Sequence, residues 1–273
     1  MKQPWCGAPF SPDSFMSKII SPKLASIAGL VALLALSGCA TPPPADDPDA
    51  VAEFQQINDP LEPMNRELFS FNEWLYDNGL TPAAKAYRYV VPRFGRDRVA
   101  DFLANLKAPV ILINDIFQGN VTRGGVTLLR FVLNSTFGVG GIMDVATPMG
   151  LPGHVADVGE TLAVWGVGDG AYVVLPLFGP SNVRDSIGLG VESTLDPLSY
   201  YLADNHMRWV STTRFLVSGL SAYEGYMDSL EDVKRTSLDY YSAMRSLSRQ
   251  RRDAQIEDAK SGKWAPADPI KKQ

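Results

Sequence analysis

Apolar side chains recur at intervals of three and four along most of this chain, a helical rhythm. Leu61, Met64, Leu68, Phe71 and Leu75 form one such face, widened by Phe69 and Trp74. Just ahead, Asn58-Asp59-Pro60 supplies the capping side chain and early proline of a helix start. Thr81-Pro82 repeats that signal for a short helix ending before Pro92, and Val99, Phe102, Leu103 and Leu106 mark the next. Pro109 is expected to open another helix, with Val110, Ile113, Asn114 and Phe117 on one side and Gly119 as its stop. Val121, Leu128, Leu129, Val132 and Leu133 carry helix from 121 to 136. After Pro197 a three-four seam from Leu216 through Tyr223, Leu230 and Tyr240 to Leu247 predicts a C-terminal helical pair or bundle, with Gly219 and Gly225 as places for a break. Beyond Leu247 the seam dissolves into RQRRDAQIEDAKSG, where Arg249 and Asp253 have i,i+4 spacing. The best case for a strand is Tyr172 to Leu175, ahead of Pro176. The fold class is therefore mainly α, with Gly/Pro-rich connecting segments and little or no β.

The middle of the chain breaks the amphipathic pattern. From Phe131 to Val183 only Asp144, Asp157, Glu160 and Asp169 are charged, where the chain-wide 20% would give about eleven, and no Lys or Arg occurs. Glycines and prolines interrupt the stretch too often for a membrane-spanning helix. It is either the buried centre of a domain or a surface that faces lipid, and pattern alone leaves both open.

The N-terminal end bears on that choice. Lys18 and Lys23 precede an apolar run from Leu24 to Leu36, a layout that predicts a secretory leader too short to span a bilayer. Leu36-Ser37-Gly38-Cys39 looks like a bacterial lipobox, in which Cys39 becomes the acylated N-terminus. Residues 1–38 are thus expected to be a signal peptide, with 1–15 an upstream extension. Residues 39–57 form a lipidated tether whose TPPPADDPD segment has no large apolar residue to bury. Residues 58–260 form the helical domain, and 261–273 a disordered tail. Removing 1–38 leaves 22 basic and 29 acidic residues, a net charge of −7. That balance argues against a nucleic-acid partner. With Cys6 removed and Cys39 acylated, no cysteine pair remains for a disulfide.

Candidate chemistry is sparse, and no catalytic residue, metal site or cofactor is assigned. His154 and His206 are the only histidines, and no G-x-S-x-G occurs. His154, Asp157 and Glu160 lie close enough in sequence for a general base with carboxylates, or for a histidine beside a helix start. Gly138-Val139-Gly140-Gly141 and Gly166 to Gly170 lack the continuations of phosphate-binding loops and read as hinges at most. Two further functional readings are a membrane-anchored lipid hydrolase and a passive porin-associated structural lipoprotein.

Five blocks now carry a resemblance: NDPLEPMNRELFSFN (58–72), NLKAPVILINDIFQGN (105–120), RFVLNSTFGVGGIMDVAT (130–147), DVGETLAVWGVGDGAYVVLPLFGPSNVRDSIG (157–188) and Asp196-Pro197. In this order, after a lipobox, they resemble the MlaA (VacJ) family of outer-membrane lipoproteins. The resemblance implies a ring of amphipathic helices in the inner leaflet of the outer membrane, on its periplasmic face. It also implies a trimeric porin as partner and phospholipid as cargo, moved through a central channel to the periplasmic carrier MlaC. It places Cys39 at the anchor and Phe137, Gly138, Val139, Gly140, Gly141, Ile142 and Met143 at a glycine-rich hairpin beside the channel. Asn65, Asn72, Asn114, Asn134 and Ser135 are then expected to offer polar groups to the channel. Phe69, Trp74, Trp165 and Phe178 are expected to face acyl chains.

Overall fold

The computed structural model describes residues 59–262. The leader, Cys39, the tether and the tail from 263 lie outside the described residues. Helix α1 (Glu62–Leu75) runs through a π turn (Tyr76–Leu80) into α2 (Thr81–Val90), then α3 (Arg93–Phe117) and α4 (Val121–Thr136). A coil segment leads to α5 (Val158–Val164), the strands β1 (Tyr172–Leu175) and β2 (Gly179–Asn182), α6 (Val183–Leu195) and α7 (Pro197–Asp204). Two long helices close the order, α8 (Arg208–Thr236) and α9 (Tyr240–Ser261). The mainly helical fold and the strand at Tyr172–Leu175 stand as expected. Its partner strand escaped notice, because Gly179-Pro180-Ser181-Asn182 has no strand-forming side chain.

Two expected breaks are corrected. Pro109 lies inside α3 rather than opening a helix. It has no N–H for the Asn105 carbonyl four residues back, yet the helix continues on both sides. The C-terminal helices part at Ser237 to Asp239, and α8 runs unbroken through Gly219 and Gly225. The chemistry of the true break is a cap: Ser237 turns extended, and the Asp239 carboxylate accepts the Ser242 N–H at 3.3 Å. Beyond Leu247 helix α9 continues to Ser261 and ends at Gly262 in the left-handed region. There Arg249 lies 4.0 Å from Asp169.

The long-range ties are largely polar. Arg88 and Arg96 both reach Glu224 of α8, at 2.6 and 2.7 Å. Lys234 reaches Asp77 at 3.0 Å, and Arg66 reaches Asp239 at 2.7 Å. Helices α5 and α6 cross at two glycines so closely that a Cβ on Gly188 would lie 2.5 Å from the Gly159 nitrogen. Arg252 of α9 clamps this crossing, donating to Asp157 at 2.7 and 2.8 Å and to Asp185 at 2.9 Å. A small apolar cluster of Tyr172, Val174 and Tyr241, with Leu68 and Phe69 against it, joins α1, β1 and α9.

Candidate functional site

Burial is inverted relative to a water-soluble domain. Among the described residues twelve apolar side chains are buried, five of them alanine, against thirteen polar or charged ones. Thirty-two large apolar side chains are exposed instead. They include Trp74 and Trp165 at 61% each, Trp209 at 68% and Val121 at 86%. No helix among the described residues is long and apolar enough to cross a membrane.

The glycine-rich segment forms a tight turn after α4. Phe137, Val139, Ile142 and Met143 are all exposed on it, while Gly138 and Gly141 are buried. A Cβ on Gly138 would lie 2.2 Å from the Met143 carbonyl oxygen, and one on Gly141 (φ +90°) 2.3 Å from the Asn105 amide nitrogen. The two buried glycines thus allow close approach. Val139, a β-branched residue at φ +55°, is held in the left-handed region that such side chains avoid. Backbone bonds from Gly140 to the Ser135 carbonyl (3.0 Å) and from Gly141 to the Asn134 carbonyl (2.8 Å) close the turn. At its neck the Asn134 side-chain oxygen, Oδ1, accepts the Val145 and Ala146 N–H groups at 3.0 and 3.1 Å, and its side-chain amide donates to Asp144. Burial pushes the Asp144 carboxyl up, but bonds from Thr147 and the charge of Arg130 hold it below the usual range.

The asparagines proposed for a channel wall are enclosed, and their amides are engaged with the fold. Asn65 donates to the Tyr172 carbonyl (3.0 Å) and accepts the Val174 N–H (2.9 Å). Asn72 does the same for Leu175 and Leu177, at 2.9 and 2.8 Å. Seven helical residues rise about 10.5 Å and three strand residues about 10 Å, so two asparagines two turns apart match peptide groups of β1 and of the turn that follows it at Leu177. Helix α1 thereby covers the open edge of a strand. Asn114 donates to Val110 (2.9 Å) and accepts from Thr161 (2.8 Å). Ser135 is half-buried and accepts from Asn105 at 3.0 Å. Of the four side chains expected at lipid, Trp74, Trp165 and Phe178 are exposed. Phe69 instead packs edge-on against Tyr240 and Tyr241, with centroids 5.2 and 5.5 Å away.

A buried charged cluster joins α3, α4 and α5. His154 Nε2 lies 2.8 and 3.0 Å from the two Asp115 oxygens, and Thr127 donates to Asp115 at 2.7 Å. His154 is therefore paired with Asp115, and its side chain is enclosed. Arg123 donates to the Val155 carbonyl at 3.1 Å. Its guanidinium stands 3.6 Å from Glu160 and 3.9 Å from Asp115. Burial, aided by the charge of Asp157, pushes the Glu160 carboxyl up to about 8. Burial pushes Asp157 up too, but its bonds to Arg252 outweigh that and hold it low. No group of three or more His, Cys, Asp or Glu among the described residues has metal-binding geometry.

The family model for the MlaA lipoprotein matches residues 57–255. The chain belongs to the MlaA lipoprotein family. Two relatives carry the name intermembrane phospholipid transport system lipoprotein MlaA. The Escherichia coli protein is 33% identical over 204 residues, spanning 73% of this chain and 78% of the relative. The Haemophilus influenzae protein is 30% identical over 240 residues, spanning 86% and 91%. An uncharacterized protein of Rickettsia bellii is 33% identical over 210 residues, spanning 77% and 81%. A solved structure described as the structural basis for maintenance of bacterial outer membrane lipid asymmetry matches with a TM-score of 0.64 and 35% identity. That match covers 72% of this chain and 98% of the solved one.

The five MlaA-like blocks hold much of the buried polar framework: Asn65 and Asn72 in the first, Asn105, Asn114 and Asp115 in the second, Asn134 in the third, Glu160 and Arg184 in the fourth. Arg123, buried between the second and third blocks, was not singled out from sequence, nor were Asn105 and Asp115. The signal available in the sequence is the recurrence of polar residues within otherwise apolar helices.

Proposed function

We propose that this MlaA-family protein is an outer-membrane lipoprotein, anchored through Cys39 on the periplasmic face, that removes mislocalised phospholipids from the outer leaflet. In this reading amphipathic helices form a ring around a channel. A trimeric porin is its neighbour, and cargo passes to the periplasmic carrier MlaC. The carrying observation is the inversion of burial: polar and charged side chains are enclosed while aromatic and aliphatic side chains are exposed. Exposed apolar surface on this scale is costly in water and favourable in an acyl-chain environment. The polar route for head groups is not assigned to the four asparagines, whose amides are committed to the fold. The apolar turn at Phe137 to Met143 is the part of the site proposed to meet acyl chains.

The test is complementation in a Gram-negative host lacking its own MlaA-family protein. Phosphatidylethanolamine at the cell surface is labelled with a membrane-impermeant amine reagent. The full chain is expected to lower the label, and a Cys39→Ala variant is not. Unchanged label with well-expressed protein would defeat the transport reading and favour a passive envelope role. Free fatty acid released from phospholipid vesicles by the purified chain would favour a hydrolase.

A further inference from the structure

The turn from Phe137 to Met143 is closed by groups of its own segment. Asn134, Asp144, Arg130 and Thr147 all lie within eighteen residues of chain, and their bonds fix the shape of the turn. Asn105 reaches it from a different helix, α3. Its side chain is buried and donates to Ser135 Oγ at 3.0 Å. It also lies flat on Gly141: a Cβ there would meet Asn105 Nδ2, Cγ and Cβ at 2.3, 2.6 and 2.7 Å. Local bonds determine what the turn looks like, and Asn105 determines where it sits relative to α3.

We propose that Asn105 is a positioning residue, a latch that seats the apolar turn against α3 so that Phe137, Val139, Ile142 and Met143 are presented to phospholipid acyl chains at a fixed place. The proposal rests on the transport reading above. Its physical logic is that a turn with four exposed apolar side chains would otherwise shift to shelter them. Seating needs a contact to a separate rigid element, and the bare Cα of Gly141 under the Asn105 amide supplies it. Any side chain at 141 would evict Asn105. Any loss of the Asn105 amide would leave Ser135 and the Gly141 surface without their cover.

The experiment uses the full chain with Asn105→Ala, and separately Ser135→Ala, which removes only the acceptor. Hydrogen exchange of the amides from Gly138 to Ala146 is read by mass spectrometry on purified protein, and surface phosphatidylethanolamine is read in cells as above. Loss of one buried hydrogen bond should speed exchange in the turn by about five- to tenfold. The Val174 amide, held by Asn65, should keep its protection and report an intact fold. Surface label should rise towards that of cells lacking the protein. Turn exchange within about twofold of wild type in both variants would overturn the latch. Faster exchange with surface label as low as wild type would overturn its role in transport. Should the wild-type chain itself fail to lower the label, the transport reading falls and the functional half of this proposal falls with it. The exchange data still decide whether Asn105 seats the turn.

Discussion

Glu160 offers a quantitative check on the buried cluster. Its carboxyl is enclosed, with Oε2 lacking a hydrogen-bond partner and Arg123 no nearer than 3.6 Å. Burial and the Asp157 charge raise its pKa from 4.5 to about 8. Between those values the folded chain keeps a proton that the unfolded chain releases, so unfolding stability falls as pH rises. The fall begins at the ordinary carboxylate value and levels off above about 8. At about 1.4 kcal/mol per tenfold change, the full window corresponds to about 5 kcal/mol. Glu160→Gln is nearly isosteric and cannot ionise, so it removes this slope. Urea unfolding followed by circular dichroism at pH 5, 6, 7, 8 and 9 should show the variant gaining stability over wild type steadily up to pH 8 and no further. Comparing the two chains at each pH cancels the titration of every other group. A difference that stays constant across the window would mean that Glu160 ionises in the fold like a surface carboxylate, and the argument from burial would be wrong.

Asn65→Ala removes the hydrogen bonds to the Tyr172 carbonyl and from the Val174 N–H at a buried strand edge and should cost about 2–4 kcal/mol in thermal or urea unfolding, with Asn72→Ala similar. Arg252→Ala strands Asp157 and Asp185 beside the tight α5–α6 crossing and should cost about 3–5 kcal/mol at neutral pH. Asp157 is held low by Arg252, so the wild-type chain keeps this contribution above the ordinary carboxylate range and loses it as pH falls through the lowered value. The variant should therefore resemble wild type more closely in acid, measured by unfolding at pH 2 to 4. Gly138→Ala, whose Cβ meets two carbonyl oxygens within 2.4 Å, should destabilise the protein far more than Gly140→Ala. At Gly140 only the left-handed backbone, about 1–2 kcal/mol, opposes a side chain. Thermal midpoints compare the pair.

Helix positions were legible because period and caps are local. Asn120 before α4 and Asp196 before α7 cap their helices through their side chains. Thr81-Pro82 caps nothing: the chain enters α2 already helical at Leu80, and the Thr81 hydroxyl bonds Tyr223 instead. Pro109 was misread because a proline signals a boundary only when the missing hydrogen bond is not outweighed by packing along the helix. Trp74, Trp165 and Phe178, expected at lipid from the family resemblance, are exposed, whereas Phe69, on the same helix as Trp74, turns inward to Tyr241 because that face of α1 packs on α9. Asn65 and Asn72 were expected at a channel wall, whereas their amides bond the backbone of residues 172 to 177. A helix serving as hydrogen-bonding partner to a strand more than a hundred residues away leaves no trace in local periodicity. The Asp115–His154 pair and Arg123 were hidden for the same reason, since charge pairing across three helices depends on the packing itself.

The distribution of apolar side chains also shapes the thermodynamics of this protein once lipid is stripped away. Denaturation ordinarily raises the heat capacity by about 12–15 cal/mol/K per residue because apolar groups become newly hydrated. Here many of the largest ones already contact solvent in the native state. The calorimetric increment should therefore be small, the free-energy curve broad and shallow in temperature, and cooling should weaken the native state less than it weakens an ordinary globular domain.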